Sequence, residues 1–244
     1  MSNYLIDRIL PANRISLCGG ISSAGKTRFW IPTLCRWAKG VPVLGLKSHP
    51  IPWCLVSSDR PVQDVYDSLN GMKIPKGEVN VIPAFGIHAK ARYKVMEAIV
   101  KSGAKLVYWE GFDMLVKNPN NPFDVGQMLS EVSAFCEAED GLTILGTVGV
   151  AKLKPHETYA NPRQLIAGSS IWERATSTNF VIVATHPGNI ESGQRLLYVC
   201  LKDTASFATL GDFSDGGFLT FQSWENRISG EELERVVSNM KKVR

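Results

Sequence analysis

The stretch Arg14-Ile-Ser-Leu-Cys-Gly-Gly20-Ile-Ser22-Ser23-Ala24-Gly25-Lys26-Thr27 runs from an apolar, strand-like segment through a glycine-rich turn into a helix-like one. Gly20 to Thr27 complete the pattern Gly-x4-Gly-Lys-Thr in the strand–loop–helix context that this motif requires. The chemistry follows from the residue types. Glycines let the backbone N–H groups of residues 22–27 turn inward around a phosphate chain, and the helix N-terminus adds positive potential. Gly20, Ser22, Ser23, Ala24, Gly25, Lys26 and Thr27 are therefore the expected binding residues, with Lys26 on the outer phosphates and the Thr27 hydroxyl on Mg2+. Pro32, inside the following helix, predicts a kink or an early end there.

Outward from that loop, short apolar runs alternate with helix-like segments. This is the pattern of an α/β fold with a mostly parallel sheet flanked by helices. Strands are expected at 14–18, 53–57, 79–82, 106–110, 142–147 and 179–184, and helices near 26–39, 61–69, 90–101 and 124–138. In the last helix Val125, Met128, Leu129, Val132, Phe135 and Cys136 share one face, the mark of core packing, and Asn121-Pro122 supplies its start signal. After residue 195 the runs 195–201, 205–210 and 218–221 are short and separated by Gly/Asp turns, which predicts an antiparallel C-terminal extension. Residues 231–244 read as a charged terminal helix. One domain over 1–244 is expected, with a core at about 12–185 and the β-rich extension and terminal helix at about 195–244.

Bulk composition is that of a globular chain, with 244 residues, 44% hydrophobic and 20% charged. The mild net charge of +4 neither demands nor excludes nucleic acid. Five scattered cysteines without a CxxC pair argue against a disulfide framework and a zinc ribbon, and read as buried packing residues. No apolar run has membrane-spanning length and the N-terminal segment is too polar for a signal peptide, so a cytoplasmic location without membrane partners is expected.

A phosphate loop needs a carboxylate at the end of a neighbouring strand to hold the magnesium shell. Glu110 ends the run Leu-Val-Tyr-Trp-Glu and is the metal candidate with Thr27; Asp113, three residues on, reads as a turn or cap residue. Asp59, before Pro61 and a helix, reads either as an N-cap or as a catalytic carboxylate at the carboxyl edge where α/β sheets bind ligands.

With these landmarks the chain resembles the RecA-like P-loop ATPases, and among them the RepA-type replicative helicase branch, over roughly residues 12–222. Gly20–Thr27 matches the Walker A loop, Leu106–Gly111 the Walker B strand with Glu110 in place of Asp, and Trp53–Pro61 the strand ending at the catalytic base, with Asp59 in place of Glu. Gly146–Lys152 resembles the sensor strand, with Lys152 at the basic position but Val148 and Gly149 where polar side chains are expected. Ala167-Gly-Ser-Ser resembles Arg-Gly-Ser-Ser, with Ala167 in place of Arg. The resemblance implies a RecA-like P-loop NTPase core that binds ATP with Mg2+ between subunits of a ring or filament. It gives catalytic roles to Lys26, Asp59 and Lys152, with Arg163 and Arg174 as further candidates for the basic residue a neighbour supplies.

Residues 151–167 follow the sensor strand, where the resemblance implies a DNA-binding loop. Lys154 and Arg163 offer phosphate contacts and Tyr159 a stacking face for single-stranded DNA, with His156 beside them; a surface loop without a ligand is the other reading. The implied function is a DNA-acting, helicase-like ATPase. The alternative is a nucleotide-binding assembly or regulatory protein with weak or no hydrolysis, favoured by the missing sensor residues at 148 and 149 and the missing Arg at 167. A small-molecule phosphotransferase would need an Arg-rich lid, and the arginines do not cluster in one segment.

Overall fold

The computed structural model describes residues 3–20, 23–87, 92–138, 141–149, 171–184, 193–202, 206–214, 218–229 and 231. In chain order the elements are β1 (Tyr4–Ile6), β2 (Leu10–Pro11), β3 (Ile15–Gly19), α1 (Lys26–Ala38), β4 (Trp53–Ser57), α2 (Val62–Gly71), β5 (Asn80–Pro83) and α3 (Arg92–Ser102). They continue with β6 (Leu106–Glu110), α4 (Pro122–Ala138), β7 (Thr143–Val148), α5 (Ile171–Ala175), β8 (Thr178–Ala184), β9 (Arg195–Leu201), β10 (Phe207–Phe213) and β11 (Leu219–Phe221). β1 and β2 pair as a small antiparallel ribbon; among the described residues the other nine strands form one sheet in the order β11-β10-β9-β8-β3-β7-β6-β4-β5. The pairings from β8 through β3, β7, β6 and β4 to β5 are parallel, and those from β8 out to β11 are antiparallel.

The sheet is covered on both faces, and successive residues of its central strands divide between the two cores as the period of 2 demands. Cys18, Leu55, Tyr108 and Leu145 face a core shared with Trp30 and Leu34 of α1 and Leu69 of α2. Their neighbours Leu17, Val56, Trp109 and Ile144 face the opposite core, with Val95 and Ile99 of α3 and Val125, Met128 and Val132 of α4. Such two-sided burial explains why these strands read as unbroken apolar runs. Of the expected stripe on α4, Val125, Met128, Leu129, Val132 and Cys136 are buried and Phe135 is half-buried, and the helix is capped as its sequence predicts: the Phe123 N–H donates to Asn121 Oδ1 at 2.9 Å.

Several expectations need adjusting. α1 does not end at Pro32 but continues six residues beyond it, to Ala38. Burial of Leu34, Cys35 and Trp37 stabilises that last stretch against the hydrogen bond proline removes. The strand expected at 205–210 lies at Phe207–Phe213, and neither the β1–β2 ribbon nor α5 was anticipated. Of the expected terminal helix only Glu231 is among the described residues. All five cysteines are free and buried, and burial pushes the Cys18 thiol up to about 11. Among the described residues no helix is long and apolar enough to cross a membrane.

Candidate functional site

Strand register brings the candidate residues to one edge of the sheet. Gly19 pairs with Val148 across β3 and β7, and Ser57 with Glu110 across β4 and β6, so these strands end together. From β3 the chain winds out toward β4, whereas from β7 it winds back past β3 to β8. The β3–β7 junction is thus a point where the winding reverses, and the space outside the carboxyl ends of such strands is where open α/β sheets accept ligands.

The described residues of the loop after β3 are tightly held. Ser23 has φ 65° and Gly25 φ 100°, both left-handed. For Ser23 this carries a local energetic cost, and such costs concentrate at functional loops. A Cβ on Gly20 would lie 2.9 Å from the Ile182 carbonyl oxygen, and one on Gly25 would lie 2.8 Å from Leu219 Cδ2. Gly25 is also the N-cap of α1, which has no side-chain cap and no acidic residue in its first turn. That first turn suits an anion from outside the helix. Lys26 Nζ donates to the Gly20 carbonyl oxygen at 2.5 Å, folding back across the mouth of the loop. Burial pulls the Lys26 pKa down, while Cys18, Asp113, Asp59 and Glu110 oppose the shift.

Two expected partners meet although 83 residues separate them: the Thr27 hydroxyl donates to Glu110 Oε1. Glu110 is 2% exposed. Its other oxygen, Oε2, accepts from Arg60 Nη2 at 2.8 Å and Nε at 3.2 Å. Burial raises the Glu110 carboxyl above its ordinary range, and Arg60 and Thr27 counter it. Burial works against the Arg60 charge too, and there the Glu110 and Asp59 carboxylates outweigh it. Asp113 links two strand ends, its Oδ2 accepting from the Gly149 N–H at 3.0 Å, and burial raises its carboxyl as well.

Asp59 is exposed beside this cluster, its backbone pressed so close to Gly111 that a Cβ there would lie 2.7 Å from Asp59 Cβ. It does not cap α2, whose N-cap is Pro61 with no side-chain cap bond. Of the two readings of Asp59, the cap is therefore excluded.

Other expected residues fall elsewhere. Ser22, Lys152, Lys154, His156, Tyr159, Arg163 and Ala167 lie outside the described residues, and Arg174 is exposed on α5. Sequence reasoning gave no role to Arg60 or Arg195. Arg195, fully buried at the start of β9, donates from Nε to the Ala24 carbonyl oxygen at 3.2 Å and lies 4.8 Å from the centre of the Phe213 ring. The only sequence signal for it is a charge heading the apolar strand Leu196–Leu201. A cavity of about 540 Å3 opens elsewhere, between Pro32 and Arg36 of α1, Val43 and Phe221. None of the candidate residues lines it.

Among the described residues no group of three or more His, Cys, Asp or Glu side chains could hold a metal ion by itself. Thr27 and Glu110 nonetheless converge as two hard oxygen donors, a set that suits Mg2+ when phosphate oxygens and water complete its shell. No protein-family model matches the chain, and no curated protein matches it either.

Proposed function

We propose that this chain is a RecA-like P-loop NTPase that binds ATP with Mg2+ at the loop 20–27 and the Glu110 carboxylate. The observation that carries it is the contact of the Thr27 hydroxyl with buried Glu110, at the edge where the loop, Lys26 and an uncapped helix N-terminus converge. The loop N–H groups and Lys26 would bind the phosphate chain, and Thr27 and Glu110 would hold the metal. That ion would offset charge on the outer phosphates. Asp59, exposed and packed against Gly111, would orient a water toward the terminal phosphate. Lys152, and the DNA contacts of Lys154, Tyr159 and Arg163, rest on the resemblance and on composition. So do assembly into a ring or filament and helicase-like action on single-stranded DNA.

A second reading, a nucleotide-binding assembly or regulatory protein with weak or no hydrolysis, draws on a specific feature. β7 ends in the apolar Val148, 2% exposed, followed by Gly149, so neither position offers a polar side chain to sense a terminal phosphate.

Calorimetry with Mg-ATP tests the shared core of both readings. Lys26→Ala is expected to abolish binding while circular dichroism stays native. Equal affinity in variant and wild type would overturn the assignment of the loop. Turnover with and without single-stranded DNA then separates the readings: strong stimulation supports the motor, and flat, near-zero rates support the regulator.

A further inference from the structure

We infer that Arg60 and the metal ion compete for the same carboxylate, so that metal loading displaces Arg60 from Glu110 and turns it toward the bound phosphate chain. The inference rests on the nucleotide reading above and deepens it by assigning a role to a residue so far without one. Both oxygens of Glu110 are engaged, Oε1 by the Thr27 hydroxyl and Oε2 by two nitrogens of Arg60. At 2% exposure the carboxylate has almost no surface left for another partner. A divalent cation joining Thr27 at this group would face a guanidinium already paired to it, and two cations on one buried carboxylate repel strongly.

Arg60 is built to yield. The Ser57 hydroxyl donates to the Arg60 carbonyl oxygen at 3.0 Å, which fixes its backbone at the end of β4. Its side chain is 25% exposed, against 3% for that of Glu110, so the arginine is the partner with room to swing. Asp59 precedes it and also favours its charge, so the guanidinium stays near the edge once released. A phosphate oxygen is the natural next acceptor, because a planar guanidinium binds phosphate in the same forked geometry as carboxylate. Arg60 is then a positioning residue. It holds Glu110 aimed before metal arrives, and couples metal arrival to a cation on the phosphates.

The test uses the full chain without nucleotide and Mn2+ as the probe, with free Mn2+ read by electron paramagnetic resonance at pH 8.5 to limit proton competition. Wild type is expected to bind Mn2+ weakly. Arg60→Gln should bind it about tenfold tighter or more, given the strength of close charge pairs. Arg60→Lys, which keeps the positive charge, should return toward wild type, a rescue that a merely structural role would not give. Thr27→Ala should remove the gain in the Arg60→Gln background. Should Arg60→Gln not fold by circular dichroism, Arg60→Met keeps the aliphatic stem and serves in its place. Mn2+ affinity in the Gln or Met variant that equals or falls below wild type overturns the competition. The two readings fail separately: Mg-ATP binding with unchanged Mn2+ affinity sinks the exchange alone, whereas a gain in Mn2+ affinity without Mg-ATP binding sinks the nucleotide site alone.

Discussion

Asp113 and Asp59 are both acids at the carboxyl edge, and their surroundings give them different consequences. Burial raises the Asp113 carboxyl above its ordinary value of 3.8, with the Gly149 N–H and Lys26 opposing the shift. A raised acid stabilises the fold fully below its ordinary pKa, and that contribution is lost as pH climbs through the shifted value. Asp113→Asn keeps an oxygen for Gly149 and removes the charge. The variant's melting temperature relative to wild type should therefore rise between pH 4 and pH 8. An identical difference at both pH values would show that the folded protein does not hold this carboxyl up. Asp59, by contrast, is exposed and makes no cap. In the hydrolytic reading Asp59→Asn should remove turnover without weakening Mg-ATP affinity, measured by phosphate release beside calorimetry. Unchanged turnover would take Asp59 out of the mechanism.

Among the elements, β7 is tightly confined at its glycine. It lies between β3 and β6, and Trp109 of β6 pairs with its Gly146. A Cβ at Gly146 would lie 2.6 Å from Phe112 Cγ. Phe112 cannot retreat easily, since its ring lies 5.6 Å from that of Trp109 and 6.1 Å from that of Trp172. Gly146→Ala should cost about 1–3 kcal/mol as an overpacking change. For a chain of this size each kcal/mol lowers the melting temperature by roughly 2–4 °C, readable by differential scanning calorimetry. An unchanged melting temperature would mean that Phe112 is less firmly wedged than its aromatic neighbours imply. α1 teaches the same lesson with the opposite sign. Pro32 lowers its local helical preference, but Trp30, Ile31, Leu34 and Trp37 are fully buried and the helix persists.

At the scale of the whole molecule, one sheet runs from the parallel core through β8 into the antiparallel β9, β10 and β11, so the C-terminal extension continues the core sheet. The extension reaches the loop itself: Leu219 and Phe213 crowd Gly25, and Arg195 holds the Ala24 carbonyl. The proposed DNA contact, outside the described residues, is tested by Lys154→Ala with Arg163→Ala. The double variant should bind single-stranded DNA more weakly and flatten its salt dependence by about one to two units of slope, with Mg-ATP binding unaffected. An unchanged slope would remove these cations from any DNA interface. The sequence by itself determined the local features. Unbroken apolar runs marked the buried strands, the α4 stripe and Asn121 marked a capped helix, and Gly20–Thr27 marked the turn, because period, capping and glycine geometry act within a few residues. Asp59 could not be resolved that way, since a cap and an exposed edge carboxylate share one local sequence. Only the tertiary structure joined Thr27 to Glu110, closed Arg60 on that carboxylate and set buried Arg195 beneath Ala24. Strand order decides those contacts, and strand order depends on which apolar faces pack together across the whole chain.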